Sequence, residues 1–306
     1  MSDPDTVLTE LHPQLRPLAF AIAYRMLGSV AEAEDVVQEA MLRLHRELRA
    51  GTAIESPKAY VSAITTRLAI DALRSARRRR EAYAGPWLPE PVVTDAAGDV
   101  AGSAELADSL SMAFLVVLER LSPVQRAVFL LHDVFDYGYD EVAAIVGKSA
   151  GNCRQIAVRA RRRIADERPR FEPSRAARDD LADRFFAAAG QGDLEGLIAL
   201  LAADAVFTGD GGGNATAFPR PIDGRDRVAR LLVGIFRKGA AIGARLEPAQ
   251  VNGQPGGLVR DAGGALVNTL VLDIADGLVV GVRSQINPEK LAHLGPVSDL
   301  ARRRAR

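Results

Sequence analysis

The chain has 306 residues, enough for two or three domains, and its 48% hydrophobic and 25% charged residues are those of an ordinary globular protein, not of a disordered or membrane-embedded one. Its 39 Lys and Arg balance 39 Asp and Glu, which excludes a uniformly basic coat; basic residues cluster instead at Arg77–Arg80, Arg159–Arg170 and Arg302–Arg306. The single Cys153 excludes an internal disulfide, and the polar start Met1–Glu10, with no apolar run near 20 residues, points to a reducing, cytoplasmic setting without a membrane anchor.

From about Leu8 to Arg80 the pattern is helical. One helix is expected over Leu15–Leu27, ended by Gly28, and Ser29 with Glu32 caps the next. That second helix, VAEAEDVVQEAMLRLHREL, turns Val37, Ala40, Met41 and Leu44 inward and leaves Asp35, Gln38, Glu39 and Leu42 outside. A third starts at Ser56-Pro57, has an apolar early part (Tyr60, Val61, Ile64, Leu68) and ends in four arginines. Four exceed what a helix dipole asks of its last turn, and phosphate contact is the natural use of the excess.

Glu81 to Ala104 breaks the pattern with Pro86, Pro89 and Pro91, and holds the single Trp of the chain in GPWLPEP. A Trp and a Leu in such a linker are expected to dock on a protein surface.

Leu121 to Ile164 reads as a helix-turn-helix. Ser122 and Gln125 form a capping box with Pro123 at the first helical position. Gly138 precedes an acidic first turn at Asp140 and Glu141, Gly147-Lys148 makes a tight turn, and Ser149 caps a basic helix. In that helix Cys153, Ala157, Ala160 and Ile164 share an apolar stripe. Gln155, Val158, Arg159 and Arg162 face the other way, with Asn152 and Arg154 on the flanks. Amides and guanidiniums on such a face are the groups that read base edges and clasp phosphates.

Beyond Arg170 two helices (Arg178–Gly190, Asp193–Ala202), a short strand (Ala205–Gly209), the loop Asp210-Gly211-Gly212-Gly213 and an amphipathic helix (Gly224–Lys238) are expected. Four strand-like runs follow near 242–251, 257–261, 265–274 and 278–286. Helices followed by a strand meander give an α+β cone with an internal cavity. Asp210 and Asp273 are candidate pocket acids, but His293, the one histidine of this third, falls beyond the last strand.

AEAEDVVQEAMLRL resembles the core-polymerase-binding helix of sigma-70 family factors, SPKAYVSAITTRLAIDALRSARRRR the segment that recognises the −10 promoter element, and Leu121–Ile164 the domain that reads the −35 element. The two blocks in this order resemble an extracytoplasmic-function (ECF) sigma factor. The last third resembles the SnoaL-like branch of the NTF2-like superfamily. WLPEP, DGGG and NPEKL together resemble one ECF group, in which a fused SnoaL-like domain replaces a separate anti-sigma factor. Asn214 departs from that group, which has a basic residue there, and Glu289 stands in place of its usual Asp.

The resemblance implies a multidomain chain with two all-α domains and an α+β SnoaL-like/NTF2-like domain. Its divisions are 1–82 (core polymerase and −10), 83–105 (linker), 106–172 (−35 helix-turn-helix), 173–292 (regulatory) and 293–306 (basic tail). It implies core RNA polymerase at Asp35, Gln38, Glu39 and Leu42. It implies −10 DNA at Thr65, Thr66, Arg67, Arg74, Arg77 and Arg78, and −35 DNA at Asn152, Arg154, Gln155, Val158, Arg159 and Arg162. The regulatory contact falls to Trp87, Leu88, Pro89, Asp210, Gly211, Gly212, Gly213, Asn287, Pro288, Glu289, Lys290 and Leu291. The expected partners are core polymerase, promoter DNA, the chain's own C-terminal domain and a small ligand in the SnoaL-like pocket; no cofactor, metal, membrane or catalytic group is called for. A one-component regulator with an effector pocket is the alternative, and it leaves the Asp35–Leu42 helix unexplained. An isomerase- or cyclase-like enzyme is a third reading, which lacks a pocket histidine.

Overall fold

The computed structural model describes residues 4–81, 83–94, 109–165, 174–213, 215 and 217–299, the side chains of 4–8 and 76–81 excepted. It divides into two compact units, one from residues 1–81 and 117–168, the other from 82–116 and 169–306.

The first unit is helical. Helices α1 (Pro4–Leu27), α2 (Val30–Arg49) and α3 (Pro57–Glu81) pack on one another. α1 starts eleven residues before the expected Leu15 and carries Pro13 and Pro17 inside it. Each proline removes one backbone bond, which is tolerable because both sit on an exposed face. α2 buries Ala33, Val36, Val37, Ala40, Met41 and Leu44, one stripe at helical spacing, and Ser29 Oγ caps it by accepting from Glu32 N.

After α4 (Met112–Leu118) come α5 (Pro123–Phe129), a π-helical segment (Leu130–Val134), α6 (Tyr139–Val146) and α7 (Ala150–Ala165). Every expected cap is present. Ser122 and Gln125 exchange both hydrogen bonds of a capping box, Glu141 Oε2 accepts from Gly138 N at 2.8 Å, and Ser149 Oγ accepts from Asn152 N. Gly147 ends α6 at φ 67°, the left-handed conformation glycine adopts at least cost. Val128, Leu131, Val142, Ile145, Cys153, Ile156 and Ala157 form the core of this helix-turn-helix, and Ala63 of α3 packs against it.

Arginine side chains tie the two helical parts together at helix ends. The last carbonyls of a helix have no partner within it. Those of α1 and α4 are met by Arg126 of α5, whose Nη1 donates to Met26 O and Nη2 to Leu118 O, both at 2.7 Å, and Nη2 also reaches Glu119 at 2.8 Å. Those of α6 are met by Arg67 of α3, which donates to Ile145 O at 2.9 Å and Ala144 O at 2.8 Å. Arg25 of α1 lies 5.5 Å over the Phe135 ring, and its burial lowers its pKa to about 10.

The second unit is α+β. α8 (Arg175–Gln191), α9 (Leu194–Leu200) and α10 (Arg225–Ala241) cover one face of a six-stranded sheet made of β1 (Leu201–Asp210), β2 (Ile222–Asp223), β3 (Arg245–Val251), β4 (Gln254–Arg260), β5 (Leu266–Ala275) and β6 (Leu278–Gln285). The order is β2-β1-β6-β5-β4-β3, antiparallel except for β1 with β6. Leu181, Phe185, Leu197, Phe207, Val228, Leu232, Leu270, Leu272 and Val282 fill the helix-facing side. Strand side chains alternate, so Asp210, three residues after Phe207, and its pair Gln285 lie on the other face. A short helix, α11 (Pro288–Leu291), follows β6.

Replacing Arg126 by Ala removes the side-chain donor from the buried Met26 carbonyl, whereas Leu118 O keeps Leu121 N at 3.0 Å. At roughly 1–3 kcal/mol for such a group, urea unfolding followed by circular dichroism should report a loss of about 1–3 kcal/mol; a change within about 0.5 kcal/mol would deny Arg126 this role.

Candidate functional site

Three surfaces carry the residues expected from the sequence. On α2, Asp35 and Gln38 are exposed, Glu39 is half-buried beside Arg43 at 2.7 Å, and Leu42 is 43% exposed. Asp35, Gln38 and Leu42 border a hollow of about 500 Å³ between α1 and α2, whose rim includes Arg16 paired with Glu34 at 2.7 Å. An exposed leucine among acids and amides is an apolar anchor with a polar rim, the pattern of a protein-docking surface.

α3 departs from expectation. Thr65 and Thr66 are fully buried, and their hydroxyls find no hydrogen-bond partner among the described residues. They belong to the interior of the helical unit and do not form a DNA face. Arg67 is occupied by the end of α6, and Ser62 shares a hydrogen bond of 2.7 Å with Tyr137. The cause is the packing of α3 on the helix-turn-helix, which turns this face inward. Arg74 is exposed and paired with Asp71 at 2.9 Å; the side chains of Arg77 and Arg78 lie outside the described residues.

On α7, Asn152, Arg154, Gln155, Val158, Arg159 and Arg162 are all exposed, while Cys153, Ile156, Ala157, Ala160 and Ile164 are buried. Arg154 rests 5.4 Å over the ring of Tyr139.

The densest site lies in the second unit, on the sheet face away from the helices, where residues 83–94 dock. Asp210 has no solvent exposure. Its Oδ1 accepts from Tyr83 Oη at 2.6 Å and Gly212 N at 3.0 Å. Its Oδ2 accepts from Lys290 Nζ at 2.7 Å, Leu88 N at 2.8 Å and Gln285 Nε2 at 3.2 Å. Lys290 Nζ also donates to Leu88 O at 2.6 Å and lies 4.6 Å from the ring centroids of both Tyr83 and Trp87. A buried ammonium is thereby neutralised by a carboxylate and flanked by two aromatic rings.

Around this pair Gln285 donates to Pro89 O, and Asn287 donates to Tyr83 Oη while capping α11 through Glu289 N. His293 Nε2 meets Pro91 O at 2.7 Å. Further along, Asn252, at φ 54°, accepts from Val92 N and donates to Val92 O through its own N–H, and Thr94 N donates to Gln250 O beside an antiparallel bridge between Val93 and Val251. The linker thus adds a short strand to the edge strand β3. Burial, reinforced by the Asp210 charge, raises the Tyr83 pKa well above the usual phenol range. Its contribution to docking is therefore complete at neutral pH and is lost as pH rises past about 10.

The expected Trp87, Leu88, Pro89, Asp210, Asn287 and Lys290 all meet here, and Leu291 is buried beside them in α11. Gly212 has φ 59°, and a Cβ there would collide with the Asn287 amide and the Tyr83 hydroxyl. Gly211 and Gly213 border the same loop, where a Cβ on Gly213 would meet Ala84. Pro288 opens α11 and Glu289 is exposed. Asn214 lies outside the described residues. The sequence reading missed Tyr83, Gln285, Asn252 and His293. A phenol four residues before Trp87 and an amide two before Asn287 were the available signals. Asp210, held by five donors, and Asp273, paired with Arg283 at 2.7 Å, are not open pocket acids. Among the described residues no cluster could hold a metal ion and no helix is long and apolar enough to cross a membrane.

The Sigma-70 region 2 family profile matches residues 11–79, which span most of α1 to α3, and Sigma-70, region 4 matches 111–164, α4 to α7. The chain is 37% identical to the ECF RNA polymerase sigma factor SigJ of Mycobacterium tuberculosis over 90% of each chain. The family is settled by that match. The chain is an extracytoplasmic-function sigma factor.

The M. tuberculosis protein described as probable ECF sigma factor SigI is 31% identical over 88% of this sigma factor and 90% of its own length. The crystal structure of M. tuberculosis SigJ aligns at a TM-score of 0.73 and 34% identity, over 93% of this chain and 98% of that one. The SigJ match extends past both sigma regions, so the α+β unit belongs to the shared architecture. As a sigma factor the chain binds core RNA polymerase and directs transcription from promoter DNA.

Trp87 is the single tryptophan, so its emission reports linker docking. Asp210→Ala leaves Lys290 charged and buried, a loss of about 3–5 kcal/mol. Red-shifted emission and several-fold stronger acrylamide quenching are expected, and unchanged quenching would show that the linker docks without this pair.

Proposed function

We propose that this sigma factor is controlled by its own C-terminal domain in place of a separate anti-sigma factor. The observation that carries the reading is the strap of residues 83–94 held through Asp210 and Lys290. The strap belongs to the segment that joins the two promoter-reading parts of the sequence, so holding or releasing it changes how they can be presented. A small ligand acts through the same domain. Asn268 and Ser284, joined at 3.1 Å, are buried polar groups on the helix-facing side of the sheet, and Asn268 Oδ1 has no partner among the described residues.

In this reading Asp35, Gln38, Glu39 and Leu42 contact the polymerase, Arg74, Arg77 and Arg78 the −10 region, and Asn152, Arg154, Gln155, Val158, Arg159 and Arg162 the −35 element. The domain divisions follow those read from the sequence, the chain works in the cytoplasm beside the polymerase, and it catalyses no reaction of its own. Arg67 serves twice: it caps α6 in the free chain and turns to DNA once α3 and α6 part. They must part, because the two elements lie about 25 base pairs apart, roughly 85 Å of duplex at 3.4 Å per step, whereas Arg67 and Ala144 are 2.8 Å apart. The unpartnered Thr65 and Thr66 hydroxyls favour that opening, since a buried hydroxyl without a bond is a standing cost.

Run-off transcription with purified core polymerase on the protein's own upstream region tests this, comparing the full chain with a truncation after Phe171. Both should initiate at one start site, with activity differing several-fold. Equal activity would remove the regulatory role. DNA binding by the full chain alone, with no initiation and no binding to core, would favour a one-component regulator.

A further inference from the structure

Val158 stands out on α7. Among the described residues five large hydrophobics are exposed, Leu42, Val93, Val158, Phe218 and Ile242, and Val158, at 43%, is the one on the outward face of the helix-turn-helix. The apolar residues of α7 that build the core are all buried, so Val158 is not a stray member of that stripe. It lies three residues after Gln155 and four before Arg162, on one helical row. With Arg154, Gln155 and Arg159 it lines an open hollow of about 370 Å³.

One wall of that hollow is fixed. Arg154 rests on the Tyr139 ring, which lies tilted by 31° against His132 with ring centroids 3.9 Å apart. The Tyr139 hydroxyl meets Arg161, itself anchored to Asp133 at 2.7 Å. Val158 is fixed for a different reason: a β-branched side chain in a helix keeps essentially one rotamer. The result is a preset apolar contact between an amide and guanidinium groups.

In the major groove the apolar group that a base pair offers is the 5-methyl of thymine. We propose that Val158 reads a thymine of the −35 element through that methyl, with Gln155 and Arg159 hydrogen-bonding the neighbouring bases. The inference rests on the assignment of α7 to the −35 element and adds the base class that its apolar residue selects.

The test uses full-length chain with core polymerase on templates whose −35 element is randomised. Transcribed templates should be enriched in thymine at one position, and Val158→Ala should flatten that position alone, while Val158→Ile keeps it. On a selected promoter, replacing that thymine by deoxyuridine removes only the methyl. It should lower initiation about fourfold, the equivalent of ~0.8 kcal/mol for one buried carbon, with the wild-type chain and not with Val158→Ala. A thymine preference unchanged in Val158→Ala, no thymine preference, or an equal loss on every sequence overturns the proposal, the last by assigning Val158 to the sugar–phosphate backbone. Failure of the wild-type chain to initiate on any template would remove the sigma assignment of α7 and this proposal with it.

Discussion

The second unit is organised around one carboxylate. A charge with no exposure to water is tolerable only where its field is answered nearby, and Asp210 is answered by an ammonium, a phenol, an amide and two backbone N–H groups. Those donors come from the linker, the DGGG loop, the end of β6 and α11. No two of these segments are held to the carboxylate independently of the others, so the linker's conformation and the geometry of the sheet's rim are set together. The loop's glycines follow from the same constraint, since the approach of Asn287 and Tyr83 leaves no room for a side chain at 212.

The first unit solves a related problem with arginine. Helices that end against a neighbour bury carbonyls that no residue of their own turn can reach. Arg126 and Arg67 supply donors from the opposite partner in each direction. The planar guanidinium suits this work because a single side chain serves two carbonyls at once. The contact is polar and geometrically demanding. It holds when the helix ends are in register and is lost as a whole when they are not, which is the behaviour that the proposed parting of α3 from α6 requires.

The elements with local signals were legible in the sequence. The capping box at Ser122, the acidic first turn after Gly138, the turn at Gly147, the stripe of α2 and the alternation of β5 and β6 depend on residues within a few positions of one another. The exposed face of α7 followed from the same periodicity. What failed depended on distance or on ambiguity. Thr65 and Thr66 were assigned to DNA by resemblance, whereas they are buried in a helix whose neighbours Ser62 and Arg67 bond residues more than seventy positions on. The run from Leu200 into Phe207 is apolar in either conformation; it was read as helix to Ala202, but β1 begins at Leu201 with an irregularity before Val206. Asp210 read as a pocket acid because nothing local reveals that its five donors arrive from four separate segments.

The pairing of Asp210 with Lys290 also shapes how such a chain can change over generations. Loss of either residue leaves the other buried and uncompensated, so each single step is costly, whereas replacing both by apolar residues of similar volume is often close to neutral for packing. The two positions are therefore expected to change together although 80 residues separate them. An apolar pair would hold the linker without a charge, and with it would go the dependence of the hold on keeping water away from the pair. In the proposed regulatory reading, an ionic pair that can be undone suits a linker that has to be released, a demand that stability alone does not impose.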